Sequence, residues 1–407
     1  MSLDTAPRLD ADGLLDDPQT RIVVCCGAGG VGKTTTAAAL GVRAAERGRR
    51  VVVLTIDPAK RLAQSMGIDA LDNSPRRVDG VEGPGELYAM MLDMKRTFDE
   101  IVEAHADGER ARAILENPFY QSLSAGFAGT QEYMAMEKLG QLRARDSWDL
   151  IIVDTPPSRS ALDFLDAPKR LGSFLDGRFI RLLTAPAKAG GRAGMKFLNV
   201  GMSMMTGTLG KLLGASLLRD VQTFVAAMDT LFGGFRTRAE ATYRLLQAPG
   251  TAFLVVATPE RDALREAAYF VERLEADRMP LAGLVLNRVH ESEAAHLSAQ
   301  RALAAAEALD ERGMDDAGSG AKGAGTAGTN GTAGTGTEGA ADAAALLRLH
   351  AERMQVLAHE RRTRDRFAAL HPEVPVTQVT ALPGDVHDLA GLRDVAERLT
   401  AQEAPGA

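Results

Sequence analysis

Arg21-Ile22-Val23-Val24-Cys25-Cys26-Gly27-Ala28-Gly29-Gly30-Val31-Gly32-Lys33-Thr34-Thr35 is the stretch on which the fold turns. Ile22 to Cys26 form a short unbroken apolar run, the pattern of a strand buried on both faces of a parallel sheet. Gly27 to Thr34 then satisfy G-x-x-x-x-G-K-[ST], and Lys33–Arg47 follows with an Ala/Leu-rich helical pattern. Glycines let such a loop wrap an anion, so that successive N–H groups and the helix N-terminus point at phosphate oxygens. Lys33 brings positive charge to the outer phosphates, and the Thr34 hydroxyl suits Mg²⁺. The segment predicts a phosphate cradle made of Gly27, Ala28, Gly29, Gly30, Val31, Gly32, Lys33, Thr34 and Thr35.

Outward from this loop the chain alternates apolar runs with helical stretches. Further buried strands are expected at Arg50–Ile56, Glu86–Leu92, Asp149–Val153, Thr251–Ala257, Leu281–Leu286 and Val374–Thr380. Amphipathic segments such as Glu260–Ala276 and Val386–Gln402 lie between or after them. The alternation predicts an α/β fold of the P-loop NTPase type, a doubly wound, mainly parallel sheet. A phosphate loop also needs carboxylates for Mg²⁺ and for the attacking water. Asp154 ends the strand Leu150-Ile151-Ile152-Val153 and fits the first role. Asp57, after Thr55-Ile56 and before Pro58, fits the second, with a helix N-cap as its rival reading.

Two long intervals, Lys95–Leu142 and Ser158–Pro249, carry helical rather than strand spacing. Both leave and rejoin the sheet, so they are expected to form one inserted helical subdomain at its edge. The predicted organisation is a flexible arm over 1–20, a P-loop domain from 21–94, 143–157 and 250–402, and a helical subdomain from 95–142 and 158–249. Residues 317–340 are almost only Gly, Ala and Thr, which predicts a disordered loop between helices Ala294–Arg312 and Ala341–Ala369.

The 407 residues carry 47 Lys and Arg against 54 Asp and Glu, a net charge of -7, so no basic footprint invites nucleic acid. Cys25 and Cys26, adjacent in an apolar run, are the two cysteines and cannot build a disulfide framework or a zinc site within one chain. With no basic, apolar leader at Met1, a cytoplasmic location is expected. The weakly charged run Phe197–Leu218 approaches the length of a membrane span but holds Lys211 and four glycines, so peripheral membrane contact at most is expected. The seven histidines show no metal-ligand spacing.

Together, the loop, Asp57-Pro58-Ala59 and Asp154-Thr155-Pro156-Pro157 resemble the ArsA-type deviant-Walker ATPases. That family includes arsenite-pump ATPases and the ATPases that target tail-anchored membrane proteins. Gln131–Lys138 and Leu231–Phe235 also look like helical-subdomain segments of its bacterial members. The resemblance implies ATP and Mg²⁺ as cofactors, hydrolysis by a dimer, and roles for single residues. Asp57 would orient the hydrolytic water and sit near Mg²⁺ through water, Lys33 would act in catalysis, and Thr34 with Asp154 would hold the metal. Asn287 would bond to adenine, and Pro383, in Leu382-Pro383-Gly384-Asp385, would belong to the loop over the base.

The departures from that family are specific. Its second lysine within the loop, which reaches across a dimer interface, is Ala28 here; the switch histidine is Lys60; and the residues after the second switch are Ser158-Arg159-Ser160. The interfacial Cys-x-x-Cys and the arsenite-binding cysteines are absent. A homodimer is therefore expected to hydrolyse ATP slowly, and a heterodimer with a lysine-bearing paralogous ATPase becomes attractive. A cis substitute from Arg159 or Lys60 is the duller reading, and a catalytically weak, nucleotide-binding subunit that stabilises a paralogue is the alternative function. Met202, Met205, Leu209, Leu212 and Leu213 make an apolar stripe that reads either as ordinary core or as a groove for an apolar helical client.

Overall fold

The protein is seen in a computed structural model that describes residues 6–57, 61–118, 120, 121, 130–156, 234, 237–319 and 334–401. In chain order its elements begin with α1 (Ala11–Asp16), β1 (Ile22–Gly27), α2 (Lys33–Glu46), β2 (Arg50–Thr55) and α3 (Arg61–Ser65). They continue with β3 (Arg76–Arg77), β4 (Glu86–Met91), α4 (Met94–His105), α5 (Gly108–Leu115), α6 (Thr130–Ala144) and β5 (Leu150–Asp154). The remainder is β6 (Thr251–Ala257), α7 (Arg261–Ala276), β7 (Leu281–Val289), α8 (Ala299–Ser319), α9 (Gly334–Leu370), β8 (Val376–Thr380) and α10 (Leu389–Thr400).

The strands form one sheet in the order β3-β4-β2-β5-β1-β6-β7-β8. Every neighbouring pair is parallel except β3 with β4. The fold is thus an α/β P-loop arrangement with β1 near the middle. The apolar runs form strands because each is covered on both sides. Within β1, Ile22, Val24 and Cys26 join one apolar cluster while Val23 and Cys25 join the other. α2 and α10 cover the second face, whereas α4, α6 and α7 cover the first.

That arrangement corrects where the helical interval lies. Ile101 and Val102 of α4 and Tyr133, Met134 and Leu139 of α6 share one core with Ile22, Val52 and Leu54. The described helices therefore lie over a sheet face rather than at its edge, because their apolar faces have the sheet as partner. Most of 158–249 falls outside the described residues, including Phe197–Leu218 with Met202, Met205, Leu209 and Leu212, and Leu231–Phe235 apart from Gly234. Among the described residues, no helix is long and apolar enough to cross a membrane.

The arm over 1–20 is also corrected. From Ala6 onward it is docked: the Leu9 N–H donates to Val376 O (3.2 Å), and the Val376 N–H donates to Pro7 O (2.8 Å). Asp10 caps α1 by accepting from the Gly13 N–H (2.8 Å), and Leu9, Ala11 and Leu15 are buried. Arg43 of α2 grips Asp12 with two bonds, of 3.1 and 2.8 Å. Arg49 donates to the carbonyls of Leu15, Thr20 and Asp149 (2.8, 2.6 and 2.5 Å). Acidic composition suggested a solvated arm; three apolar side chains and two arginines hold it down.

The Gly/Ala/Thr stretch 317–340 is helical at both margins, since α8 runs to Ser319 and α9 starts at Gly334. Residues 320–333 lie outside the described set. Adding a residue to an existing helix is cheap once its nucleus is formed, and alanines favour it. α8 and α9 pair side by side, with Ala302, Ala306, Ala344 and Ala351 buried.

Candidate active site

At the C-terminal ends of the parallel strands, a cleft of about 1070 Å³ runs from the β2 side of the sheet to β8. Ligand sites in open α/β sheets lie at this position. Gly30, Gly32, Lys33, Thr34, Thr35, Asp57, Asn287 and Pro383 line it. Gly30 and Pro383, 353 positions apart, thus meet in one cavity.

The loop after β1 is shaped by glycine where no other residue fits. Gly32 sits at φ +96°, and a Cβ there would meet Asn287 Nδ2 at 2.2 Å; at Gly27 (φ +150°) it would meet Val256 O at 2.1 Å. Gly27, Ala28, Gly29 and Val31 belong to the same loop but do not line the cleft. The Lys33 ammonium donates to Gly27 O (3.0 Å) and Ala28 O (2.7 Å), and Asn287 Nδ2 donates to Val31 O (2.9 Å). Burial pulls the Lys33 ammonium below its ordinary range, opposed chiefly by the Asp154 carboxylate.

Asp154 is fully buried beneath the loop. Its Oδ2 accepts from the Thr34 hydroxyl (2.8 Å) and the Thr55 hydroxyl (2.9 Å). Its Oδ1 is buried without a hydrogen-bond partner. Burial raises its pKa to about 6, although both threonines and Lys33 pull the other way. A buried carboxylate with one unpartnered oxygen, tied to the threonine of the phosphate loop, is a donor set that fits Mg²⁺.

Asp57, beyond the end of β2, is half-buried and faces the cleft. Arg61, Gln64 and Ser65 of α3 line the same wall, and the sequence reading missed all three. Their signal was the short apolar pattern after Asp57, too brief to orient. Pro58, Ala59, Lys60, Pro157 and Ser158–Ser160 fall outside the described residues. At the other end, Arg288, His290 and Glu360 complete the wall beside Asn287, Leu382 and Pro383. Glu360 was missed because it lies on α9, 70 residues from its partner His290.

Cys25 and Cys26 are free thiols buried in β1. Desolvation pushes Cys25 far above the ordinary thiol range and Cys26 up to about 12. Both therefore stay protonated and inert as packing groups.

Comparisons with known proteins agree with this geometry. A family model described as anion-transporting ATPase matches residues 20–312, well over half of the chain. ATPase GET3 of Podospora anserina is 28% identical over 293 residues, covering 70% of this chain and 78% of that protein. ATPase GET3 of Ajellomyces dermatitidis is 31% identical over 225 residues, covering 52% and 64%. A putative arsenical pump-driving ATPase of Halobacterium salinarum is 30% identical over 197 residues, covering 44% of this chain and 29% of that protein.

Proposed function

The chain belongs to the anion-transporting ATPase family and is an ATP-hydrolysing enzyme, and on that footing we propose that its hydrolysis drives a dimer cycle coupled to a protein partner or client. The observation that carries the site assignment is the Thr34 and Thr55 hydroxyls converging on one oxygen of buried Asp154 while its other oxygen has no partner. Loop N–H groups and the α2 N-terminus would hold the phosphates. Lys33 would leave the Gly27 and Ala28 carbonyls for phosphate oxygens, and Asp57 would orient the attacking water. Thr34 and Asp154 would hold Mg²⁺, which when bound neutralises phosphate charge. Asn287 and Pro383 would lie against the nucleoside.

Coupling to the helical region is supported by a polar chain beginning beyond α3. Asn73 Nδ2 donates to Glu100 Oε1 of α4 (3.2 Å), and Lys138 of α6 donates to Glu100 Oε2 (2.9 Å). These contacts tie the segment that follows α3 to α4 and α6, and a change at Asp57 would have to pass along that segment to reach them. An apolar helix is one client class, if the Met/Leu stripe of Phe197–Leu218 serves as a groove rather than as ordinary core.

Ala28 favours a second reading, a weakly hydrolysing subunit that pairs with a lysine-bearing paralogue. Arg61, in the cleft wall with Asp57, is this chain's own candidate for the charge that Ala28 lacks. Steady-state phosphate release separates the readings. An active homodimer hydrolyses alone, loses rate in Arg61→Ala and gains nothing on mixing with the paralogue. A weak subunit is nearly silent alone and gains rate on mixing. Retained hydrolysis in both Lys33→Ala and Asp154→Ala would overturn the site itself.

A further inference from the structure

β1 and its loop divide the cleft. Asp154 and Asp57 lie on the β5 and β2 side, where the outer phosphate and water belong, so the nucleoside must extend the other way. There β7 and β8 stand two and three strands from β1, roughly 10 and 15 Å at ordinary strand spacing. The wall at that end holds Asn287, Arg288, His290, Glu360, Leu382 and Pro383.

Asn287 has part of its amide committed. Its Nδ2 donates to Val31 O (2.9 Å), and its Oδ1 accepts from the Arg288 N–H (2.9 Å), in a turn where Arg288 adopts φ +58°. Asn287 thus locks the nucleoside end to the phosphate loop, leaving one N–H and one lone pair for a ligand. Three residues on, His290 Nδ1 lies 2.6 Å from Glu360 Oε1, and the His290 backbone N–H approaches Glu360 Oε2 at 3.4 Å. The Glu360 side chain is only 11% exposed and that of His290 39%, so the carboxylate is fixed behind an imidazole that meets the cleft.

A carboxylate can only accept, so Nδ1 must carry the proton, and in the neutral tautomer this leaves Nε2 as a lone pair. An acceptor at the nucleoside end matches a donor on the ligand. Adenine offers its 6-amino group there, whereas guanine and hypoxanthine place a carbonyl oxygen at the same position, which would leave two acceptors face to face. We propose that His290, set as a hydrogen-bond acceptor by Glu360, reads the 6-amino group of adenine and makes the site select ATP over 6-oxo purine nucleotides. The inference rests on the phosphate-loop reading and assigns Glu360 as a positioning residue acting through His290.

The test is equilibrium binding of ATP, inosine triphosphate and 2′-deoxy-ATP, each with Mg²⁺, to the full chain. Wild type should bind ATP on the order of tenfold tighter than inosine triphosphate. His290→Ala should bring that ratio close to one while leaving the ATP to 2′-deoxy-ATP ratio unchanged. Glu360→Gln, which can donate to Nδ1 and move the proton to Nε2, should lower the ratio to or below one with the fold intact by circular dichroism. A purely structural role would weaken all three nucleotides alike. An unchanged ATP to inosine triphosphate ratio in both variants would overturn the proposal, as would a change confined to the 2′-deoxy ratio, which would assign the pair to the ribose. Lys33→Ala is the separate control: it should weaken all three nucleotides equally, and if it weakens none, the phosphate-loop reading fails whatever the ratios do.

Discussion

The two ends of the cleft are built in opposite ways. At the phosphate end, Gly27 to Thr35 are contiguous, and the carboxylates Asp154 and Asp57 stand at the ends of β5, which pairs with β1, and of β2, one strand further out. At the end proposed for the nucleoside, Asn287, His290, Glu360 and Pro383 come from three separate places and meet only after β7, α9 and β8 have packed together. Anion binding draws on backbone N–H groups and a helix N-terminus, which one short segment can supply. Base recognition needs side chains aimed from several directions, and no short segment can supply those. The phosphate end should therefore carry the rate, and the nucleoside end the selectivity.

Lys33→Ala is the hardest test of that division. Removing the ammonium should lower steady-state phosphate release on the order of a thousandfold, with His290→Ala costing far less. Comparable losses in the two variants would erase the distinction. Asp154 supplies the next largest effect, and it is a stability effect. Its pKa is raised from an ordinary 3.8 to about 6, mainly by burial, so the native state holds this proton more tightly than the unfolded chain. Stability therefore falls as pH rises from about 4 to 6, and the full penalty is present above that window. Asp154→Asn should be more stable than wild type at pH 8 by up to about 3 kcal/mol in the absence of nucleotide and Mg²⁺. At pH 3.5 the two should unfold in urea at the same midpoint. Equal midpoints at pH 8 would show that the buried carboxylate carries no such penalty.

At the nucleoside end, the fold depends on a part of the chain that composition disguised. Residues 7–9 pair with Val376 of the edge strand β8, and Leu15 is fully buried beside α2 and α10. Leu15→Ala should cost about 2–3 kcal/mol in urea unfolding, while a free arm would show none. The comparison also explains what the sequence made legible. Each sheet strand buried on both faces announced itself as an apolar run, and Asp154 and Asp57 could be placed because they end two of those runs. β3, two residues long and exposed, has no pattern to read. α1 is only six residues, shorter than any periodicity window. Glu360 was hidden for a different reason: on the exposed-looking helix α9, nothing local marks which of its many charged residues turns inward, because that depends on His290 across the gap.

The smallest effect expected is the one that joins the two ends. Gly32 at φ +96° leaves no room for a Cβ because Asn287 Nδ2 would lie 2.2 Å away, and Asn287 in turn holds Val31 O. Gly32→Ala should therefore weaken ATP on the order of tenfold through two separable causes, backbone strain and the clash with Asn287. Asn287→Ala removes the clash but not the strain, and it also removes the bond to Val31. If the contact couples the ends, the double variant Gly32→Ala with Asn287→Ala should bind ATP more tightly than the sum of the single losses predicts. Additive losses in calorimetric binding would mean that the glycine serves the phosphate end alone. In that case the cleft would be two independent half-sites sharing a nucleotide, and nucleoside selectivity could be changed at His290 without any effect on phosphate release.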